Sequence, residues 1–298
     1  MPSNSALKFI AIKNQSDPRI SAYSSLKGKM LEKDGIFIAE SEKVVKSLVD
    51  SGCKIASCLT SNETIARYKS LLATIAKRGA ATYVADNGLI EDIIGFRFHK
   101  GIMAVGYYPK KRTVSTSLKT LKRPLFLVAL NAVNDPQNVG LIARNASALG
   151  VQALIVDSAT YDPYYRKAVR VSMGTIFSLP VYYEEKLASS LMQLKKKYDT
   201  RIIAAIPGRG ASDIAKVKLS GNICFVFGNE DKGISRQVLN IADTKVRIPI
   251  LKTVDSLNVA SAAAVCLYEA SCHRRHSRAS GNLMFIGTVP VIPAQAGI

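Results

Sequence analysis

Short apolar runs and helically spaced apolar residues alternate along most of this chain. In the first hundred or so residues, Gly35-Ile-Phe-Ile-Ala39 predicts a buried strand and Ser41–Asp50 a helix after it. Lys54–Thr60 reads as a second strand. Ile65, Leu71, Leu72 and Ile75 then fall on one face of a helix over 63–78. Thr82–Ala85 and Ile102–Tyr108 are further strands, so residues 1–106 read as a small α/β domain. From Leu125 the pattern becomes strand, helix, strand. Leu125–Leu130, Ala153–Val156, Ile202–Ile206 and Ile223–Phe227 are near-continuous apolar runs, as strands covered on both faces require. Such runs alternating with helical stretches predict a parallel α/β sheet over 124–273. Ligands of such sheets gather beyond the carboxyl ends of the strands.

Between the two patterns, residues 107–123 are basic, rich in Ser and Thr, and bounded by Pro109 and Pro124; this reads as a solvated linker. At the other end, 274–298 has neither helical nor strand period and reads as an irregular tail. The length of 298 residues agrees with roughly two domains, and 48% hydrophobic content is ample for packed cores. Charge changes the picture more. With 41 Lys+Arg against 22 Asp+Glu the net charge is +19, which favours a polyanionic partner through counterion release. No run of about 18 apolar residues offers a membrane span, so nucleic acid is the expected partner. The N-terminus lacks the apolar core of a secretory signal. The five cysteines are odd in number and form no Cys-x-x-Cys, which suits a reducing cytoplasm. Cys272-His-Arg-Arg-His276 falls short of about four convergent ligands, so no metal is expected.

Three polar segments carry the candidate chemistry. They are Asn131-Ala-Val-Asn-Asp-Pro-Gln-Asn138-Val-Gly140-Leu-Ile-Ala-Arg144-Asn-Ala, Phe225-Val-Phe-Gly228-Asn-Glu230-Asp-Lys-Gly233-Ile-Ser235, and Ile248-Pro-Ile-Leu-Lys-Thr-Val-Asp-Ser256-Leu-Asn258-Val-Ala-Ser. A Gly-x-Gly-x-x-Gly dinucleotide fingerprint is absent. Gly228 to Ser235 has the glycine spacing of a phosphate-binding loop, but Ile234 stands where that loop needs lysine, which argues against a nucleotide hydrolase. In this order and within about 130 residues, the three segments resemble the signature motifs of the SpoU (TrmH-type) RNA 2′-O-ribose methyltransferases of the SPOUT superfamily.

The resemblance implies a C-terminal parallel-sheet domain with a trefoil knot, a topology that chain physics alone would not suggest. It also implies S-adenosylmethionine as methyl donor, a homodimer, and rRNA (23S) or tRNA as substrate. Carried onto this sequence, donor binding falls to Gly228, Ile248 and Leu257. Gly228 fits physically because a missing side chain lets a ligand come close to the backbone. Arg144 becomes the catalytic arginine beside the ribose 2′-hydroxyl, either as base or as phosphate clamp. A guanidinium gives up its proton so reluctantly that the clamp is the easier role. Asn138 helps to shape the site where loop gives way to helix at Gly140, Glu230 holds Asn138 or nearby loops, and Ser256 and Asn258 line the site. The family pattern carries Ser after Asn-Val where Ala260 stands here. Phe37–Val45 and His99–Ile102 resemble the family's RNA substrate-binding domain, with Lys43, Lys46 and Lys100 as candidate RNA contacts. The Ala-rich run up to Tyr268 predicts a helix with a small-residue face, suited to a dimer contact or to the core. The alternative of another class is a non-catalytic RNA-binding protein that kept the fold.

Overall fold

The computed structural model describes residues 8–24, 31, 34–208, 210–251 and 253–276. Their strands form two sheets. The first contains β1 (Phe9–Ala11), β2 (Ile36–Glu40), β3 (Ile55–Ser61), β4 (Ala81–Ala85) and β5 (Ile102–Tyr107), in the order β1-β4-β3-β5-β2. β1, β4 and β3 run parallel, while β5 is antiparallel to both of its neighbours. The Glu42–Asp50 helix covers it with Val44, Val45, Leu48 and Val49, the i, i+1, i+4 spacing of one buried stripe. Ser41 lies outside that helix at φ 89°. In the Ile65–Lys77 helix the buried stripe is Tyr68, Leu72 and Ile75, with Ile65 and Leu71 on its margin.

The second sheet is parallel throughout. β6 (Phe126–Asn131), β7 (Ala153–Asp157), β8 (Val181–Glu184), β9 (Arg201–Ala205), β10 (Ser212–Asp213), β11 (Ile223–Gly228) and β12 (Thr244–Arg247) lie in the order β10-β12-β9-β11-β6-β7-β8. β6 and β11 are buried at every position, as their unbroken apolar runs require. On one face the Val259–His276 helix lies against the Pro136–Ala148 helix. It turns Ala260, Ala263, Leu267 and Ala270 into the core, so the small-residue face serves packing here.

Three expectations change. The 107–123 segment is less solvated than its composition suggests. Val114 and Leu118 are 1% exposed, and the Tyr183 N–H donates to the Arg112 carbonyl at 2.9 Å, docking the segment beside β8. Apolar residues at 114 and 118 give one short turn enough burial to leave water. The C-terminal helix, expected up to Tyr268, runs to His276 and so takes in the first three residues of the expected irregular tail. Arg274 holds that last turn, donating to the Gly221 and Pro124 carbonyls at 2.7 Å each and stacking over the Phe126 ring. The remainder of the expected tail, 277–298, lies outside the described residues. Finally, the helix placed after Gly140 begins four residues earlier. Asp135 accepts from the Gln137 N–H at 2.9 Å and Pro136 takes the first turn, an N-terminal signal that overrides the glycine.

The two sheets meet through an aromatic cluster, with Phe37 centred 5.1 Å from Phe177 and 5.3 Å from Tyr164. Beside it the buried Glu40 carboxylate accepts from Arg166 at 2.9 Å. All five cysteines are free thiols. No described helix is long and apolar enough to cross a membrane.

Candidate functional site

The register of β6 with β11 pairs Asn131 with Gly228, so the first two motifs leave the sheet side by side. Their loops are then stitched together. Asn131 donates to Asp157 at 2.7 Å and accepts from the Ser235 N–H at 2.7 Å. Asn229 donates to the Ala132 carbonyl at 2.9 Å, while the Ala132 N–H donates to Asp157 at 3.0 Å. Ala132 is held at φ 58°, a backbone conformation that an alanine keeps only when its surroundings impose it.

The third motif arrives from farther away. β12 lies three places from β6 in the sheet, yet the chain after Arg247 crosses back over the strand ends to bring Asn258 against the first motif. The Asn258 amide donates to Asn138 Oδ1 at 3.0 Å, and the Asn138 amide in turn donates to Glu230 Oε1. One buried asparagine, 5% exposed, thus joins all three motifs. Asn258 Oδ1 also accepts from the Ala260 N–H at 2.9 Å and the Ser261 N–H at 3.3 Å, which caps the Val259–His276 helix. Ala260, where the family pattern has serine, is 3% exposed, and its carbonyl accepts from Asn145 at 3.2 Å.

These loops enclose a cavity of about 700 Å³, lined by residues after β9, β11 and β12. Gly228, Ile248 and Leu257 line it, as do Glu230, Ser256 and Asn258. Asn138 and Arg144 are not in its wall; Asn138 reaches it through its two hydrogen bonds. Arg144 is half-buried two turns along the Pro136–Ala148 helix, and its guanidinium makes no hydrogen bond or ion pair with any described residue. Ile250, Leu251, Val254 and Leu257 are 39–79% exposed at the cavity. A lining of uncovered apolar side chains beside polar loop residues fits a ligand that has both an apolar and a polar part.

Packing alone already requires a glycine at 228. A Cβ there would stand 2.4 Å from the Gly233 carbonyl carbon, so the glycine lets the 229–233 loop fold back on its own strand. Gly228→Ala is therefore expected to cost about 1–3 kcal/mol by overpacking. Calorimetry should read this as a melting point several degrees lower; an unchanged one would mean that the loop yields without cost. The same loop disposes of the phosphate-loop reading. Its Asp231 and Lys232 N–H groups are spent on Asn229 Oδ1, the Gly233 N–H on the Asn229 carbonyl, and the Ser235 N–H on Asn131. No cradle of free amides remains for a triphosphate. Cys266, also in the wall, has its thiol pushed up to about 12 by burial, so it supplies no thiolate at neutral pH.

Asn131, Asn229 and Asp157, which fasten the loops, were not singled out by sequence reasoning. The available signal was their position: each ends or directly follows an apolar strand. Lys43, Lys46 and Lys100 are exposed in the first sheet's layer, away from the cavity wall, and Lys46 lies 3.9 Å from Asp50. Among the described residues no group of three His, Cys, Asp or Glu side chains could hold a metal. His273 has both ring nitrogens engaged, accepting from the Leu219 N–H at 3.3 Å and lying 3.3 Å from Glu269.

Residues 125–268 match the SpoU rRNA Methylase family. A Mycobacterium tuberculosis protein called an uncharacterized tRNA/rRNA methyltransferase is 30% identical over 268 residues, covering 87% of this chain and 91% of its own length. The 23S rRNA (guanosine-2′-O-)-methyltransferase of Acinetobacter baylyi is 31% identical over 215 residues, 70% of this chain and 85% of the relative. Among solved structures, the AdoMet-bound rRNA methyltransferase from Sinorhizobium meliloti superposes with a TM-score of 0.79 at 23% identity, covering 89% of this chain and 98% of that one. At that identity the likeness is one of fold.

Proposed function

The chain belongs to the SpoU rRNA methylase family, and on that premise we propose that it transfers a methyl group from S-adenosylmethionine to a ribose 2′-hydroxyl of ribosomal RNA. The observation that carries this reading is the Asn258–Asn138–Glu230 chain, which fastens all three motifs around one cavity. The Acinetobacter relative's name supplies the substrate class, 23S rRNA, and the ribose oxygen.

The cavity residues fit the donor. Gly228, Ile248 and Leu257 would hold it, with the adenine against apolar side chains and the polar groups on loop backbone. When bound, S-adenosylmethionine supplies a methyl carbon activated by its sulfonium. Arg144, whose guanidinium has no partner among the described residues, would orient the target nucleotide by its phosphate and the 2′-oxygen itself. Asn138 and Glu230 keep the first and second motifs in register, and Asn258 does the same for the third. Ser256, exposed in the wall, would line the site beside the ribose.

Residues 1–106 would then be the RNA substrate-binding domain, with Lys43, Lys46 and Lys100 as phosphate contacts; 107–123 the basic join; and 124–273 the methyltransferase domain. The return of the chain from β12 over the ends of β9 and β11 supports a trefoil knot. Val265 and Tyr268, 42% and 57% exposed on the C-terminal helix, support a homodimer through that helix. An rRNA substrate would accord with a cytoplasmic protein.

The test is methyl transfer from labelled S-adenosylmethionine to an unmodified 23S rRNA transcript, followed by ribose-methylation mapping. One labelled 2′-O-methyl site is expected. RNA binding without any transfer would overturn the enzymatic reading in favour of a non-catalytic RNA-binding protein.

A further inference from the structure

A second cavity, of about 1080 Å³, opens at the same end of the parallel sheet, beyond β7 and β8 and beneath the docked 108–113 segment. Nothing in the donor site or its chemistry uses it. Two half-buried tyrosines, Tyr161 and Tyr165, stand in its wall with ring centroids 4.9 Å apart in an edge-to-face pair. The Tyr165 hydroxyl bonds to no described residue. The wall is coupled to the first motif, because the Tyr161 N–H donates to the Val133 carbonyl at 2.9 Å.

Charge in this cavity is sorted by depth. Asp157, Asp162 and Glu184 are part-buried and fixed: Asp157 by the Asn131 and Ala132 donors, Asp162 by the Tyr164 N–H at 2.7 Å and the Tyr183 hydroxyl at 3.2 Å, and Glu184 by the Val114 N–H at 2.5 Å and Ser190 at 2.6 Å. Lys111, Arg112 and Lys186 are exposed in the lining and make no ion pair with a described residue. Glu185 is the exposed carboxylate among them. A simple anion would be repelled by the acidic interior, and a cation by the basic mouth. A nucleotide suits both: its base is neutral, carries N–H donors for the carboxylates and presents a ring to the tyrosines, while its phosphate stays outside with the lysines.

We infer that this cavity is a nucleotide subsite, which takes a base flanking the methylated nucleotide by stacking it against Tyr161 and Tyr165, with Lys111, Arg112 and Lys186 on the adjoining phosphates. The inference rests on the proposed RNA methylation, and it assigns part of RNA selection to the catalytic sheet itself. Because the wall hangs on the Asn131–Val133 loop, seating the base there would also fix the RNA strand relative to Arg144.

The experiment measures binding of a 23S rRNA transcript by the full chain together with its ultraviolet cross-linking map. Tyr161→Leu/Tyr165→Leu keeps apolar bulk and removes the rings. It should raise the RNA Kd about 5- to 100-fold, the range of one lost stacking contact. Donor affinity should stay within about threefold, since neither tyrosine lines the donor cavity. The wild-type cross-link should fall in the peptide holding residues 161–165. Should that double variant fail to fold, Lys111→Gln/Lys186→Gln, on exposed positions, is expected to shallow the salt dependence of binding by about one phosphate contact per lysine. If the wild type methylates the transcript while the variants bind it unchanged and no cross-link forms there, the subsite is wrong and the reaction stands. Cross-linking at 161–165 without methyl transfer would keep the subsite and overturn the reaction. Neither transfer nor cross-link would overturn both.

Discussion

Arg144→Ala is expected to lower methyl transfer by about 10²–10⁴-fold, the range for one orienting or proton-handling group, while S-adenosylmethionine affinity stays within a few-fold. Arg144 has no structural employment among the described residues. It is half-buried on a well-capped helix, yet no described residue accepts from its guanidinium, so its removal breaks no hydrogen bond and strands no partner. Nor does it line the 700 Å³ cavity, whose wall comes from the loops after β9, β11 and β12. The loss should therefore appear in turnover with an unchanged melting point and donor Kd. Arg144→Lys separates charge from geometry. A lysine keeps the positive charge but not the planar fork, so it should recover only a small part of the rate if the arginine grips phosphate and 2′-oxygen together. Near wild-type turnover in the alanine variant would end the catalytic assignment.

How much of this could be read in the sequence depends on where each residue's partners lie. β6 and β11 were legible because both faces are covered and every position is apolar. β12 was not, since Thr-Lys-Val-Arg buries only Val246 and owes its place to β9 and β10 on either side. β1 and β10 are shorter still, three and two residues. Within the site, motif resemblance put Asn138, Glu230 and Asn258 on one list, but their joining is a tertiary fact. The bonds from Asn138 span 92 and 120 residues of chain. The Asn131, Asn229 and Asp157 fastenings are equally non-local, and no local period announces them. Gly228 has a second reason to be glycine that no local pattern announces, because the atoms that would crowd a Cβ there lie in its own loop, five residues on.

The largest loss of stability at the site is expected from Asn138→Asp. Asn138→Ala already leaves the Asn258 amide and the Glu230 carboxylate unmatched, at about 1–3 kcal/mol for groups left without partners. The aspartate change keeps the shape but turns a donor into an acceptor, pointing a carboxylate at Glu230 from a position 5% exposed. Both burial and the like charge raise the introduced group's folded-state pKa above its unfolded value of about 3.9. The folded protein then binds the proton more tightly than the unfolded chain does. The penalty is fully present above the raised pKa, shrinks as pH falls through it, and disappears as pH nears the unfolded value. Melting points of the variant and wild type measured from neutral pH downward should therefore converge, whereas the difference for Asn138→Ala should stay nearly flat. A difference for Asn138→Asp that does not change with pH would mean that the side chain at 138 does not face Glu230, and the fastening of the three motifs would have to be sought elsewhere.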